Sequence, residues 1–170
     1  CSRASSCASP RTVRAHRDLT PTVREFEIRP EGGVQPWTVG SHLNVQVFVD
    51  GREDTRSYSL VGLPHGPGAA EVYRIAVKRA APGRGGSRYM WSLETGAELM
   101  IGEPNNHFEL AFGAPEFLLV AGGIGITPIV CMAQALAERG ANVRMAYAAR
   151  SADELAYHDV LRGALGERLR

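Results

Sequence analysis

The sequence is poor in cysteine and contains no long hydrophobic run. Its three cysteines are Cys1, Cys7 and Cys131, and their spacing matches no common zinc or iron–sulfur motif, so we predict no metal site. The low count suits a reducing cytoplasm, where we expect the protein to be. The longest apolar run, residues 117–133, is broken by glycine and proline and is shorter than the about 20 residues that cross a membrane. No secretory signal opens the chain.

An excess of charge of either sign is also missing. The chain has 19 basic and 18 acidic residues and a net charge of +1, so no global field attracts nucleic acid or an anionic membrane. We therefore expect neither as a partner. With 170 residues, 44% hydrophobic and 22% charged, the chain has the composition of an ordinary globular protein of one large or two small domains.

The first two thirds of the chain have the pattern of an antiparallel β domain. Residues 1–9 show no periodicity and are expected to form a disordered leader. Residues 10–113 contain short alternating runs separated by glycine and proline, with a strong hairpin signal at Asp50-Gly51. The clearest strands are residues 22–30, 42–50 and 72–80. This pattern predicts an antiparallel β-barrel or sandwich.

Residues 114–170 instead alternate strands with helices. The apolar run FLLVA at 117–121 is typical of a strand buried on both faces. A helix is predicted to follow it, with Thr127 as its cap, Pro128 in its first turn and Gly140 after its end. A second strand at 142–149 and a second helix at 151–164 complete the segment, with Ser151 as a candidate cap and Glu154 three residues on, as in a capping box. This order predicts the start of a doubly wound parallel α/β sheet.

Two motifs in the β domain have the chemistry of a flavin site. In RSYSL at 56–60, alternation places Arg56 and Tyr58 on one face, where a ring can stack on a flat heterocycle and a guanidinium can bind phosphate. In GRGGSR at 83–88, flexible backbone amides lie at the start of a helix, which attracts phosphate. An ordinary surface strand and a glycine-rich loop with a capping serine also fit these motifs.

A third motif, GGIGITP at 122–128, lies between a predicted strand and a predicted helix. A tight turn there lets backbone amides reach a pyrophosphate at the positive end of the helix dipole. A purely structural strand–helix turn would also fit. The fixed order of the three motifs favours one electron-transfer enzyme that uses a nicotinamide and a flavin.

The chain resembles the ferredoxin–NADP reductase superfamily and, more narrowly, the phthalate dioxygenase reductase and vanillate demethylase reductase family. The resemblance extends from about Arg11 to the last residue. It rests on RSYSL, on AGGIGITPI at 121–129, and on three segments that separate this family from its FAD-binding relatives. These are IAVKR at 75–79, GGSR at 85–88 and PNNHF at 104–108. The implied fold is a flavin-binding β-barrel followed by the first half of an α/β NAD(P)-binding domain.

The resemblance also implies roles by position. Arg56 would hold the flavin phosphate, Tyr58 would pack on the isoalloxazine, and Ser59 would contact flavin N5 as the residue nearest the chemistry. The implied FMN-binding set is Arg56, Ser57, Tyr58, Ser59, Leu60, Ala76, Val77, Lys78, Gly85, Gly86, Ser87 and Arg88. The implied nicotinamide-dinucleotide set is Gly122, Gly123, Ile124, Gly125, Thr127 and Arg150.

The implied activity is that of an NAD(P)H-dependent flavin oxidoreductase, the reductase component of an aromatic-ring or demethylating oxygenase. Electrons would pass from NADH through FMN to an iron–sulfur acceptor in an oxygenase or cytochrome partner. Arg150-Ser151 is compatible with NADPH, although the resemblance favours NADH. Family members continue into a ferredoxin domain with a 2Fe-2S cluster, so we expect this chain to be a fragment. The alternatives are a non-catalytic flavin- or nucleotide-binding module and an FAD-using reductase; the GGSR loop favours FMN because it closes on a terminal phosphate.

Overall fold

Alternation of apolar and polar residues sets the first part of the fold. The computed structural model describes residues 9–80 and 82–170, and its first part is a seven-stranded antiparallel sheet with one short helix. The strands are β1 (Ser9–Thr20), β2 (Val23–Pro30), β3 (Ser41–Val49), β4 (Arg52–Ser59), β5 (Tyr73–Lys78), β6 (Glu98–Ile101) and β7 (Asn105–Asn106), and the helix is α1 (Gly86–Trp91). Three of these strands, β2, β3 and β5, confirm the predicted runs.

The sheet curls into a barrel-like shape that does not close. Its strand order is β4-β3-β6-β1-β2-β5, with β7 paired to β3. The outer strands β4 and β5 approach each other, and a single antiparallel bridge joins Leu60 to Ile75. Inward-facing side chains such as Phe26, Leu43 and Ile75 are fully buried and form the core of this part.

The predicted Asp50-Gly51 hairpin is confirmed. These two residues connect β3 to β4, and both have positive φ, 51° for Asp50 and 76° for Gly51. Positive φ at both central positions is the geometry of a type I′ turn, which matches the right-handed twist of paired strands. The turn fixes the register of β4, and so the position of Arg56 and Tyr58 relative to β3.

The second part confirms the predicted parallel α/β pattern. It consists of β8 (Phe117–Gly122), a 3₁₀ turn (Gly123–Gly125), α2 (Ile126–Glu138), β9 (Val143–Ala148), a 3₁₀ turn (Ala152–Glu154), α3 (His158–Leu165) and a last 3₁₀ turn (Gly166–Arg168). β8 and β9 pair in parallel. Gly140 has a φ of 68° just after α2, as a helix-ending glycine does. Leu169 then forms a parallel bridge with Met145 of β9, so a further residue pairs with this strand.

The prediction that FLLVA is buried on both faces is wrong for the described residues. Leu119 and Ala121 are buried beneath α2, but Leu118 is 71% exposed and Val120 is 66% exposed. The continuous apolar run therefore has one face in the core and one face toward solvent. The sequence pattern records the hydrophobicity of both faces, whereas burial also depends on which elements lie against each face.

The predicted second helix at 151–164 is also wrong at its start. α3 begins at His158, and the Ser151 side chain caps no helix. Glu154, predicted to complete the capping box, is bound by Lys78 instead, with Nζ and Oε2 2.8 Å apart. Tyr157 has a φ of 62°, which interrupts a helical path. A contact to a distant strand thus overrides the local capping signal.

The two parts of the fold share apolar contacts. Val23, Val61 and Ala76 of the β part belong to the same buried cluster as Ile126 and Leu136 of α2.

The predicted leader, 1–9, lies outside the described residues except for Ser9, which pairs with Ile101. Among the described residues, no helix combines the length and the apolar character needed to cross a membrane.

Candidate functional site

The RSYSL motif forms the end of β4 and leads into the core. Arg56, Tyr58 and Ser59 are half-buried, while Ser57 is exposed and its hydroxyl donates to Asn44 Oδ1 at 2.7 Å. Leu60 is fully buried in the core. The strand therefore presents a guanidinium and a phenol ring at a partly open surface and anchors them through the leucine that follows.

Tyr58 presents a neutral ring. Burial raises the pKa of its phenol to about 12, although the nearby Arg56 acts in the opposite direction. The ring is thus uncharged over the physiological range. A neutral aromatic ring at the open end of a strand is suited to contact a flat heterocycle.

Arg56 is held between an acidic neighbour and a glycine. Its guanidinium forms an ion pair with Asp54 Oδ2 at 2.6 Å, and this hydrogen bond lowers the pKa of the Asp54 carboxyl. On its other side lies Gly86, the first residue of α1. A Cβ atom placed on Gly86 would lie only 2.8 Å from Arg56 Nε, so the close approach requires glycine at this position.

The GRGGSR loop forms the start of α1. Gly85 precedes the helix with a φ of 83°, a conformation that favours glycine. Among the described residues no side chain caps this helix, and Ser87 Oγ instead accepts a hydrogen bond from the Ala80 amide at 3.2 Å. The first amides of a helix have no partner within it, so those of this turn can meet an anion. Arg88, in the first turn, is exposed.

The β5 segment joins this helix to the barrel. Ala76 and Val77 are buried, and the Val77 carbonyl accepts a hydrogen bond from Trp91 Nε1 at 3.0 Å. The guanidinium carbons of Arg24 and Arg79 lie 4.4 Å and 4.9 Å from the Trp91 ring centre. These contacts fix the end of α1 against β5. Sequence reasoning missed Trp91, since a single tryptophan in a short helix gives no signal of what it contacts.

The GGIGITP motif forms the β8–α2 turn. Gly122 ends β8, Gly123 has a φ of 51°, and residues 123–125 form the 3₁₀ turn that leads into α2. The prediction that Thr127 caps the helix is wrong, because Thr127 is the second residue of α2 and its hydroxyl donates to the Ile124 carbonyl at 3.1 Å. That bond stabilises the turn from inside the helix, while Gly123 and Ile124 stay half-buried and Gly125 is exposed.

A tyrosine on the neighbouring strand also fixes this turn. Tyr147 of β9 donates its hydroxyl to the Gly123 carbonyl at 3.4 Å, and burial raises the pKa of its phenol. Sequence reasoning missed this residue because parallel pairing of β8 with β9 is what brings it to the turn. Arg150, two residues past the end of β9, is exposed.

The RSYSL strand, the GRGGSR loop and the β8–α2 turn lie in one region of the molecule. β5 contacts β4, α1 and the Gly123–Gly125 turn. Lys78, the last residue of β5, forms an ion pair with Glu154, which follows β9. The structure therefore brings residues of all three motifs and of the segment around Arg150 to the same junction. In the part of the chain that the structure describes, no group of three potential metal ligands is found.

Comparisons with known proteins agree with this arrangement. The family described as the oxidoreductase NAD-binding domain matches residues 119–168. The chain is 40% identical over 159 residues to the heme-dependent oxidative N-demethylase beta subunit of Ectopseudomonas mendocina (strain ymp), covering 92% of this chain and 50% of that protein. It is 38% identical over 154 residues to a vanillate O-demethylase oxidoreductase of Pseudomonas putida, covering 89% of this chain and 47% of the relative.

A solved structure gives the same result. Phthalate dioxygenase reductase, described as a modular structure for electron transfer from pyridine nucleotides to [2Fe-2S], superposes with a TM-score of 0.80 at 31% identity. The match covers 91% of this chain and 48% of that one. The chain thus spans about half the length of the relatives it matches, and the family resemblance stated from the sequence is confirmed.

Proposed function

Because the chain belongs to the phthalate dioxygenase reductase and vanillate demethylase reductase family, we propose that it is the flavin- and nicotinamide-binding part of an oxygenase reductase. The activity is NAD(P)H-dependent flavin oxidoreduction. The observation that carries this proposal is the contact between Arg56 and Gly86. It places a cation beside the start of a helix, whose first amides have no carbonyl partner within the helix, next to a neutral aromatic ring.

The residues present fit FMN. Gly85 and Gly86 leave the start of α1 without side chains, and a Cβ at either position would lie within 3.0 Å of a neighbouring side chain. Arg56 supplies the charge for a phosphate, and the phosphate would compete with Asp54 for the guanidinium. Both features suit a terminal phosphate, which is why the proposal names FMN rather than FAD.

In this proposal two residues at the end of β4 and three of β5 have defined tasks at the flavin. Tyr58 packs its neutral ring against the isoalloxazine, and Ser59 places a small hydroxyl near N5. The backbone of Ala76 and Val77 and the stem of Lys78 line the other edge. The bound flavin would supply the chemistry, accepting a hydride and releasing electrons. The protein binds it, orients it and limits access of water.

The nucleotide side rests on the β8–α2 turn. The glycines at 122, 123 and 125 let backbone amides approach a pyrophosphate at the start of α2, whose dipole favours negative charge there. Thr127 and Tyr147 hold that turn in place. Arg150 lies exposed beyond β9, where the adenosine ribose would be bound. NADH is the proposed donor.

The proposed acceptor is an iron–sulfur centre that serves an oxygenase. Two observations support it: the similarity to an oxidative demethylase subunit and to a reductase whose described acceptor is [2Fe-2S]. Both concern proteins about twice as long as the matched region. The cluster, the oxygenase partner and its substrate are therefore proposals for the whole protein that contains this chain.

The test combines flavin identity with anaerobic reduction. Flavin released by heat from purified protein is separated by chromatography, and we expect FMN. Addition of NADH without oxygen should then bleach the flavin absorbance. Predominant FAD would overturn the cofactor assignment. A yellow protein that NADH does not bleach would instead favour a binding module without turnover.

A further inference from the structure

The segment between β9 and α3 is fastened to the barrel by directional polar contacts. Tyr157 donates its hydroxyl to Glu25 Oε2 at 2.7 Å. Glu154 accepts a hydrogen bond from the Thr22 hydroxyl at 3.2 Å and pairs with Lys78 Nζ at 2.8 Å. We call these five residues the clasp. It joins the segment between β9 and α3 to barrel strands β2 and β5 and to the residue that precedes β2.

The Glu25–Tyr157 pair is the buried half of the clasp. Glu25 is 4% exposed and Tyr157 is 9% exposed. The second carboxylate oxygen of Glu25 accepts from Arg17 Nε at 2.9 Å, so both oxygens have partners. Burial, with the Glu25 charge beside it, raises the pKa of Tyr157, and its hydroxyl stays a donor. A buried carboxylate that loses such a donor is left short of a partner, which makes the geometry of this contact specific.

The backbone of Tyr157 is held in an uncommon conformation. Its φ of 62° lies in the left-handed region, where non-glycine residues are rare and strained. Surrounding contacts must hold it there, and the bond to Glu25 is one of them. The chain thus turns sharply at Tyr157 to bring the ring onto the barrel before α3 begins.

The side chains around the Glu25–Tyr157 hydrogen bond are not closely packed. Glu25 and Tyr157 both line a cleft of about 590 Å³ between the barrel and the α2 and α3 helices. The apolar contacts of Val23, Val61 and Ala76 hold the two parts together but have no directional preference. Directional contacts also join the two parts at Cys131, whose Sγ donates to the Leu60 carbonyl, and at the His65–Glu138 ion pair. The clasp supplies the directional contacts on the β9–α3 side, where the cleft leaves space for a shift when they are lost.

The clasp lies beside the proposed reaction site. Lys78 ends the strand proposed to line the flavin, and the same strand contacts the Gly123–Gly125 turn proposed to hold the dinucleotide. Hydride transfer requires reacting atoms within about 3–3.5 Å, and a displacement of about 1 Å can slow a reaction a hundredfold. A small rotation between the two parts would change that distance without removing any group that binds either cofactor.

We propose that Glu25 and Tyr157 are positioning residues, which set the orientation of the nucleotide-binding part against the flavin barrel for hydride transfer. This inference rests on the proposed function. It predicts that breaking the pair changes the rate of hydride transfer far more than the binding of either cofactor. Neither residue was singled out by the sequence motifs.

The test uses Tyr157→Phe, Glu25→Met and the double variant in the whole protein. Tyr157→Phe removes the hydroxyl and keeps the ring in place. Asp153→Asn is the matched control, because Asp153 is exposed and adjacent to Glu154. Anaerobic stopped-flow mixing with NADH gives the limiting rate of flavin reduction and the NADH concentration at half-saturation. Flavin content and the thermal unfolding midpoint are measured for every variant.

We expect the limiting rate to fall about tenfold in each single variant, with half-saturation changed less than about threefold and flavin content unchanged. The double variant should be about as slow as either single one, since both remove the same bond. A lower unfolding midpoint with an unchanged limiting rate would show a purely structural role and overturn the inference. If NADH does not reduce the flavin of the wild-type protein, the proposed function is overturned, and this inference with it.

Discussion

Arg56 and Gly86 approach so closely that no side chain fits between them. A Cβ on Gly86 would lie 2.8 Å from Arg56 Nε and 3.0 Å from its Cγ. The two residues are thirty positions apart, yet the guanidinium stem lies against the first residue of α1. The glycine therefore determines where the arginine stands relative to the helix amides.

Gly86→Ala should weaken flavin binding without unfolding the protein. The added methyl group would displace the Arg56 side chain, and the new position would move its charge from the phosphate. Alanine favours a helix over glycine by up to about 1 kcal/mol, so apoprotein stability should not fall. Flavin affinity, measured by fluorescence titration, should decrease about tenfold. Gly113→Ala is the control, because a Cβ added there would meet no residue beyond its chain neighbours within 4 Å; an equal loss there would contradict the explanation.

Arg56→Ala should lower flavin affinity by about tenfold to a hundredfold. A hydrogen bond to a charged group contributes about 1.5–3 kcal/mol, and about 1.4 kcal/mol corresponds to tenfold. Circular dichroism should show that the apoprotein stays folded. Arg52→Ala, on the same strand and exposed, tests for a general effect of removing a positive charge. Unchanged affinity in Arg56→Ala would mean that Arg56 does not bind the flavin.

Tyr58 should make the protein less stable in alkali. Burial raises its pKa from 10.0 to about 12, so the folded state holds the phenol proton more tightly than the unfolded state. The resulting stabilisation is complete below about pH 10 and is lost as the pH rises to about 12. Denaturant unfolding over this interval should show a falling free energy of unfolding, and the fall should be smaller in Tyr58→Phe. Identical curves would contradict the shift.

Cys131 should resist alkylation in the folded protein. Burial raises the pKa of its thiol from 9.0 to about 12, and its Sγ donates to the Leu60 carbonyl at 3.3 Å. The reactive thiolate is therefore scarce, and the reagent has no access. Iodoacetamide treatment at a pH below 9, followed by peptide mass spectrometry, should find Cys131 unmodified until denaturant is added. Rapid modification of the folded protein would show that this region opens.

Local patterns predicted most of the strands and one helix. The alternation in β2, β3 and β5 and the positive φ of Asp50 and Gly51 follow from rules that act over a few residues. The predictions failed where contacts between residues distant in sequence determine the structure. Glu154 binds Lys78 instead of capping a helix, and Leu118 is exposed because burial of a strand depends on its neighbours.

The same distinction applies to the candidate site. Motif order indicated which segments bind a flavin and a dinucleotide, and the structure brings β4, β5, α1 and the β8–α2 turn into contact. The supporting residues had no local signature. Trp91, Tyr147 and Tyr157 each contact backbone or side chains from another element, and those pairings exist only after the chain has folded.

The buried cluster shared by the barrel and the helices couples the unfolding of the two parts. Val23, Val61 and Ala76 would be exposed to water if α2 unfolded. Unfolding of the helical part would therefore also remove a portion of the buried core of the barrel. Melting should then be a single cooperative transition. Amide hydrogens of β2 and α2 should exchange with similar protection, and cleavage near Gly113 should release no fragment as stable as the whole.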